Sequence, residues 1–291
     1  MCHYRKEASV MMNKVDSHQH YWLLKRNDYG WLTPALDKLY HDFLPTDLAP
    51  HRQAHHVAQT VLVQAAPTLE ETEYLLSLAA AESSIAGVVG WVDFDADDVI
   101  ATLDTLAANP SFKGVRPMLQ DIEDPAWIAN PDYAAIFTKL AELKLTFDAL
   151  VKPEHLPYIF DIAKQNPDLA IVIDHFAKPN VAEKQFDDWA SAMQRFQPLS
   201  NVFVKCSGIT TEASPAQASA DDYLDYFTTL VKAFGHGRIM WGSDWPVLNL
   251  NSSYPAWVEL CETLISDWSM QEQQAFWAGT AKSFYQLPPL S

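Results

Sequence analysis

The 291-residue chain is 48% hydrophobic and 20% charged, ordinary values for a globular protein with a sizeable core. Its 37 acidic and 20 basic side chains leave a formal charge of −17, which argues against nucleic acid as a partner, because phosphates need a basic surface. An anion could still bind in a local basic pocket, so any Lys or Arg close to the chemistry is informative.

The N-terminal stretch MCHYRKEASVMMNK is basic but has no apolar segment behind it, so it does not read as a secretory signal. Residues 1–12 read as a disordered extension and 13–291 as the folded body. The first strand-like run, 15-VDSHQH-20, leads into a connection, 21–57, that is too long and irregular for a plain helix. That insertion carries Tyr21, Trp22, Tyr29, Trp31, Tyr40 and Phe43, and is expected to cover the site as a lid or pocket wall. Further strand-like runs follow at 60–64, 85–92, 113–118, 145–150, 170–175, 202–207 and 238–243. Most are nearly continuous in apolar residues, as parallel strands covered on both faces should be. Helical stretches separate them at 68–82, 131–143, 153–165, 181–196 and 220–234. The first of these opens with Thr68 and Glu71 at capping-box spacing. Eight strand–helix alternations predict an α/β fold, a closed (β/α)8 barrel in a single domain. A doubly wound open sheet would carry a Gly-rich first turn where this chain has Ser17-His18-Gln19-His20.

Cys2, Cys206 and Cys261 are odd in number and widely spaced, which argues against a disulfide framework and for a cytoplasmic location. No apolar run approaches the ~18 residues of a membrane span, so no membrane partner is expected. Nothing in the sequence separates a monomer from a homo-oligomer.

Barrel active sites lie at the C-terminal ends of the strands. His18 and His20 end the first run two residues apart, so their imidazoles should point the same way. His175 ends the sixth run and Asp244 the eighth. Closure makes the first and eighth strands neighbours, which should bring Asp244 beside the histidine pair. Arg116 and Lys113, in 112-FKGVRP-117, are candidates for holding a substrate carboxylate or ring oxygen. Gln64, Lys178, Trp22 and Trp245 complete the candidate binding residues, the two tryptophans as an apolar wall for a ring. Cys206 reads as a small residue lining the barrel, with Lys205 pointing the opposite way. His155, His236 and the histidines of 51-HRQAHH-56 read as facing solvent.

The segments VDSHQHYW, VLVQAAPTLEETEYLL, FKGVRPMLQ, VIDHFAKP and MWGSDWPV together resemble the amidohydrolase superfamily. Within it they are most similar to the branch of sugar lactonases and 2-pyrone-4,6-dicarboxylate lactonases, over practically the whole chain. The resemblance implies a barrel that hydrolyses a small cyclic ester, with His18, His20, His175 and Asp244 at catalytic positions. Metal-binding members usually carry a further histidine at the end of the fifth strand; the fifth run here, LTFDAL, offers Asp148 instead. Catalysis with no required cofactor is therefore the expectation. If a divalent ion such as zinc is bound, His18, His20 and Asp244 are the ligands expected. Asp244 is expected to act as general base, its pKa raised by burial beside Trp245. The expected partner is a small lactone, a sugar lactone rather than a pyrone dicarboxylate, because basic residues are few. Two other readings stay open: a metal-dependent decarboxylase or hydrolase of another small acid, and a barrel that only binds a ligand.

Overall fold

The computed structural model describes residues 12–289. Apart from Met12, the extension expected at 1–12 lies outside the described residues. Eight strands occur in chain order: β1 (Lys14–Gln19), β2 (Val57–Val63), β3 (Ile85–Gly90), β4 (Phe112–Val115), β5 (Thr146–Ala149), β6 (Ile171–Ile173), β7 (Val202–Cys206) and β8 (Ile239–Trp241). Each pairs in parallel with the next. The ends meet at the rim, where Asp244 N donates to His18 O and His20 N to Trp245 O, both at 2.8 Å. This is the (β/α)8 barrel expected from the alternation of runs.

The barrel interior has two layers. At the N-terminal end, Val15, Val61, Val63, Val89, Val172 and Met240 pack against Ala281, Phe284 and Tyr285, which follow the last strand and plug the bottom. Above them the lumen turns polar. Along β7, Val202, Val204 and Cys206 join the core between strands and helices, which sends Lys205 into the lumen. The expectation for Cys206 is thereby corrected: it faces outward against Cys261 of α8 (Tyr254–Leu264), and Lys205 lines the barrel.

One irregularity in β1 places the histidines. In a regular strand Asp16 and His18 would share a face. The pairing register slips between Asp16 and Gln19. Asp16 therefore turns outward, accepting from Tyr254 Oη at 3.0 Å and Ser243 N at 2.8 Å, while His18 enters the lumen.

The helix α2 (Leu69–Ala81) starts as the sequence predicts, with Thr68 Oγ1 accepting from Glu71 N at 3.1 Å. Glu71 does not return the bond. Its buried carboxylate accepts instead from Tyr29 Oη at 2.8 Å and Ala65 N at 3.2 Å. Burial pushes the Glu71 carboxyl up to about 7, against those two bonds and the nearby Arg26. The insertion after β1 is thus tied to the barrel through Tyr29. Helix α6 (Asp187–Gln194) begins six residues later than the pattern at 181–196 suggests. Val181 and Ala182 are held by the loop after β7, through Gln217 Nε2 to Val181 O and Ala182 N to Glu212 O. His155 is buried rather than exposed: it closes the turn before α5 (Leu156–Gln165), with Lys152 N donating to its Nδ1 at 3.2 Å. Among the described residues no helix is long and apolar enough to cross a membrane.

Candidate active site

Four side chains converge at the C-terminal mouth. The Nε2 atoms of His20, His18 and His175 lie 3.3, 3.8 and 3.8 Å from Asp244 Oδ1. All four residues are buried. The backbone does unusual things to bring them there. His175, Phe176, Ala177 and Lys178 are four successive residues with positive φ, and Asp244 has φ 58°. Left-handed backbone costs a non-glycine residue about 1–2 kcal/mol, and it persists where surrounding contacts over-determine it. Here those contacts are Ala177 N to Asp174 O and Lys178 N to His175 O, both 2.8 Å.

Gly208, after β7, has φ +65° and lies against the His175 ring; a Cβ there would fall 2.6 Å from Nδ1. Gly208→Ala is expected to destabilise by about 1–2 kcal/mol from the backbone alone. It should also lower kcat by pushing His175 off Ser207 Oγ, its 2.9 Å partner. Thermal melts and kinetics on the one variant read both effects. An unchanged kcat would remove His175 from the chemistry.

Each imidazole is held from behind. His20 Nδ1 faces Val63 O at 2.8 Å, a pure acceptor, so Nδ1 carries a proton and donates. The Nε2 lone pair then faces the Asp244 carboxylate at 3.3 Å, an arrangement that needs a proton or a cation between them. His18 is flanked by two cationic donors, Lys205 Nζ at 3.0 Å from Nδ1 and Arg116 Nη1 at 3.3 Å from Nε2. Burial and then Lys205 hold its pKa well below the usual imidazole value, in spite of Asp174. Burial likewise brings His175 down to about 4, against the attraction of Asp244 and Asp174.

The expectation for Asp244 is corrected. Burial alone would raise its pKa, but His175, the His20 hydrogen bond and His18 outweigh that cost and hold the carboxyl below its usual range. It is an ionised carboxylate at neutral pH.

Beneath this cluster lies a buried ionic layer that the sequence reading overlooked. Lys205 Nζ pairs with Asp148 Oδ2 at 2.7 Å and Asp174 Oδ1 at 3.0 Å. Arg116 Nη1 reaches Asp174 Oδ2 at 3.4 Å, and its Nη2 donates to Gln64 O. The signal was present in the sequence: a lysine inside an apolar strand run is almost never buried unless paired.

A cavity of about 130 Å3 opens above His20, His175 and Asp244, walled also by Trp31, Met118, Arg116, Leu150 and Lys178, with the fully buried His18 behind its wall. Larger clefts of about 980 and 630 Å3 adjoin it through Lys178 and Trp31, but they do not contain the convergent imidazoles. Of the remaining candidates, Arg116 and Lys178 line this cavity, Lys178 being paired with Glu212 at 2.9 Å. Gln64 braces Arg116, with its Nε2 on Arg116 O at 2.6 Å. Lys113 is corrected: its Nζ contacts Gln286 O at the opposite end of the barrel. Trp22 and Trp245 are corrected too, since both pack on Phe43 in the buried insertion. The insertion does form a pocket wall, but through Trp31, whose Nε1 donates to Ala65 O at 2.8 Å.

A barrel with this histidine–aspartate centre at its mouth has the architecture of a metal-assisted or acid–base hydrolase. The amidohydrolase family model matches residues 15–287, and the chain belongs to that family. Among curated proteins it is 40% identical to an L-fucono-1,5-lactonase of Burkholderia ambifaria, over 95% of this chain and 97% of the relative. An L-fucono-1,5-lactonase of Burkholderia multivorans is 34% identical, over 94% and 96%. A solved amidohydrolase from Burkholderia multivorans, with bound zinc, superposes with a TM-score of 0.88 at 33% identity, covering 95% of this chain and all of that one.

The donor set suits a divalent ion. Tetrahedral ligands about 2.0–2.1 Å from zinc lie roughly 3.3–3.4 Å apart, close to the His20–Asp244 separation of 3.3 Å. His18, His20 and Asp244 present donor atoms within 4.8 Å of one another. The His20 bond to Val63 O is also the kind of support that orients a metal-ligating histidine.

Proposed function

We propose that the chain hydrolyses the lactone of a sugar acid to the open hydroxy acid, with L-fucono-1,5-lactone the first substrate to try. The observation that carries this reading is the convergence of three imidazole Nε2 atoms on one carboxylate oxygen at 3.3–3.8 Å, over a cavity with room for about four waters, hence one small ring. The 40% identical relative named for that activity supports it. The cations at the cavity favour a sugar lactone over a dicarboxylate. Lys178 is paired with Glu212, which leaves Arg116 as the cation of the cavity wall for the substrate, where two carboxylates would need a second.

Ionised Asp244 takes a proton from the attacking water as its oxygen bonds to the lactone carbonyl carbon. The carbonyl oxygen gains negative charge and is met by the Arg116 guanidinium, which lines the cavity in front of His18; one such preorganised donor is typically worth about 3 kcal/mol. The ring C–O bond then breaks, and the departing alkoxide takes the proton back from Asp244. A proton between His20 Nε2 and Asp244 Oδ1, 3.3 Å apart, holds the carboxylate in place. A divalent ion, where bound, would be held by His18, His20 and Asp244, and would polarise the carbonyl and acidify water.

The chain's own groups suffice for turnover in this reading. After exhaustive chelation, hydrolysis is expected to persist with metal far below one equivalent by elemental analysis. Activity lost on chelation and restored by zinc would overturn the metal-free part alone. A panel of aldonolactones followed by acid release tests the activity itself, and no turnover across it would sink the lactonase reading.

A further inference from the structure

Lys205 lies fully buried in the middle of the polar layer, where its ammonium is hydrogen-bonded to Asp148 Oδ2 at 2.7 Å and His18 Nδ1 at 3.0 Å and lies 3.0 Å from Asp174 Oδ1 as an ion pair. Its position is not adjustable. Tyr285 Oη and Thr146 Oγ1 donate to Asp148 at 2.6 and 3.0 Å and fix that carboxylate. Arg116 Nη1 holds the other oxygen of Asp174.

A neutral imidazole has one N–H and one lone pair. If the lone pair sits on Nδ1, His18 accepts from Lys205 and its proton lies on Nε2, toward Asp244 Oδ1 at 3.8 Å. The other tautomer would set an N–H against the Lys205 ammonium at 3.0 Å, donor facing donor. In return it would offer Asp174 Oδ1, which has no hydrogen-bond partner among the described residues, an N–H at a long 3.5 Å, and would spare the Nε2 proton its 3.3 Å contact with Arg116 Nη1. But that contact is longer than the one with Lys205, and Arg116 Nη1 has Asp174 Oδ2 to turn to. A divalent ion at His18 Nε2 needs the lone pair there, and therefore needs that second tautomer.

We propose that Lys205 is a positioning residue that holds His18 with its proton on Nε2, so that the ring directs it toward Asp244, and that the same bond keeps the divalent-cation affinity of the site low. The proposal rests on the site described above but not on its substrate. Its tests read the imidazole and the cation, so failure to hydrolyse lactones would leave them unaffected.

The measurement is nitrogen NMR of metal-free protein labelled at histidine, with His18 assigned by the signal lost in His18→Gln, alongside zinc titration against a competing chelator. In the wild type the His18 proton is expected on Nε2, moving to Nδ1 once zinc saturates the site. In Lys205→Met the proton should sit on Nδ1 without metal, facing Asp174. Zinc affinity should rise about 10- to 100-fold, the size usual when the hydrogen-bond partner of a metal-ligating histidine is changed. Wild-type His18 protonated on Nδ1 would overturn the proposal, and so would a Lys205→Met affinity equal to or weaker than wild type. Should Lys205→Met fail to fold, with the buried Asp148 left without its cation, the wild-type spectrum decides alone.

Discussion

Asp244→Asn is expected to keep the fold and lose about 10²- to 10⁴-fold in kcat, the range of a general base. The amide matches the carboxylate in shape and can donate to the His20 Nε2 lone pair, so the cluster need not come apart. What disappears is the proton acceptor. Because His175, His20 and His18 hold the carboxyl low, the wild-type base is always ionised at neutral pH but intrinsically weak. Its value lies in being placed, with no desolvation left to do when water attacks. Steady-state kinetics on the best lactone, with a circular dichroism check of folding, measures the effect. Near-normal turnover would take Asp244 out of the mechanism.

Arg116→Met should lower kcat by about 10²- to 10³-fold, as loss of one oxyanion donor does, with a smaller change in KM. The reasoning is geometric. Arg116 is buried yet lines the cavity beside Asp244 and His175, where its guanidinium can meet the developing negative oxygen. A residue that merely gripped the substrate would show the reverse pattern, a raised KM with kcat intact. The variant also strands Gln64 O and one oxygen of Asp174, so some stability loss accompanies it. Melting temperature separates that loss from the kinetic effect.

The primary sequence determined the barrel and the chemical centre. Near-continuous apolar runs of strand length, alternating with amphipathic stretches, leave a parallel sheet covered on both faces as the economical burial. Closure of that sheet forces the first and eighth strand ends together. His18, His20, His175 and Asp244 were legible because each sits where a strand run stops, and strand ends share one face of a barrel. Tertiary structure alone decided the rest. Which side of β7 faces the lumen depends on barrel curvature and register, not on local pattern, and so Lys205 rather than Cys206 lines the interior. Which tryptophan of the insertion meets the cavity depends on how Tyr29 and Trp31 dock on Glu71 and Ala65, contacts between segments about 40 positions apart. The ionisation of Asp244 was misread from its neighbour Trp245, because charge interactions act through space. Three histidines from two strands outweigh one burial cost, and only the folded chain puts them within 4 Å of the carboxylate.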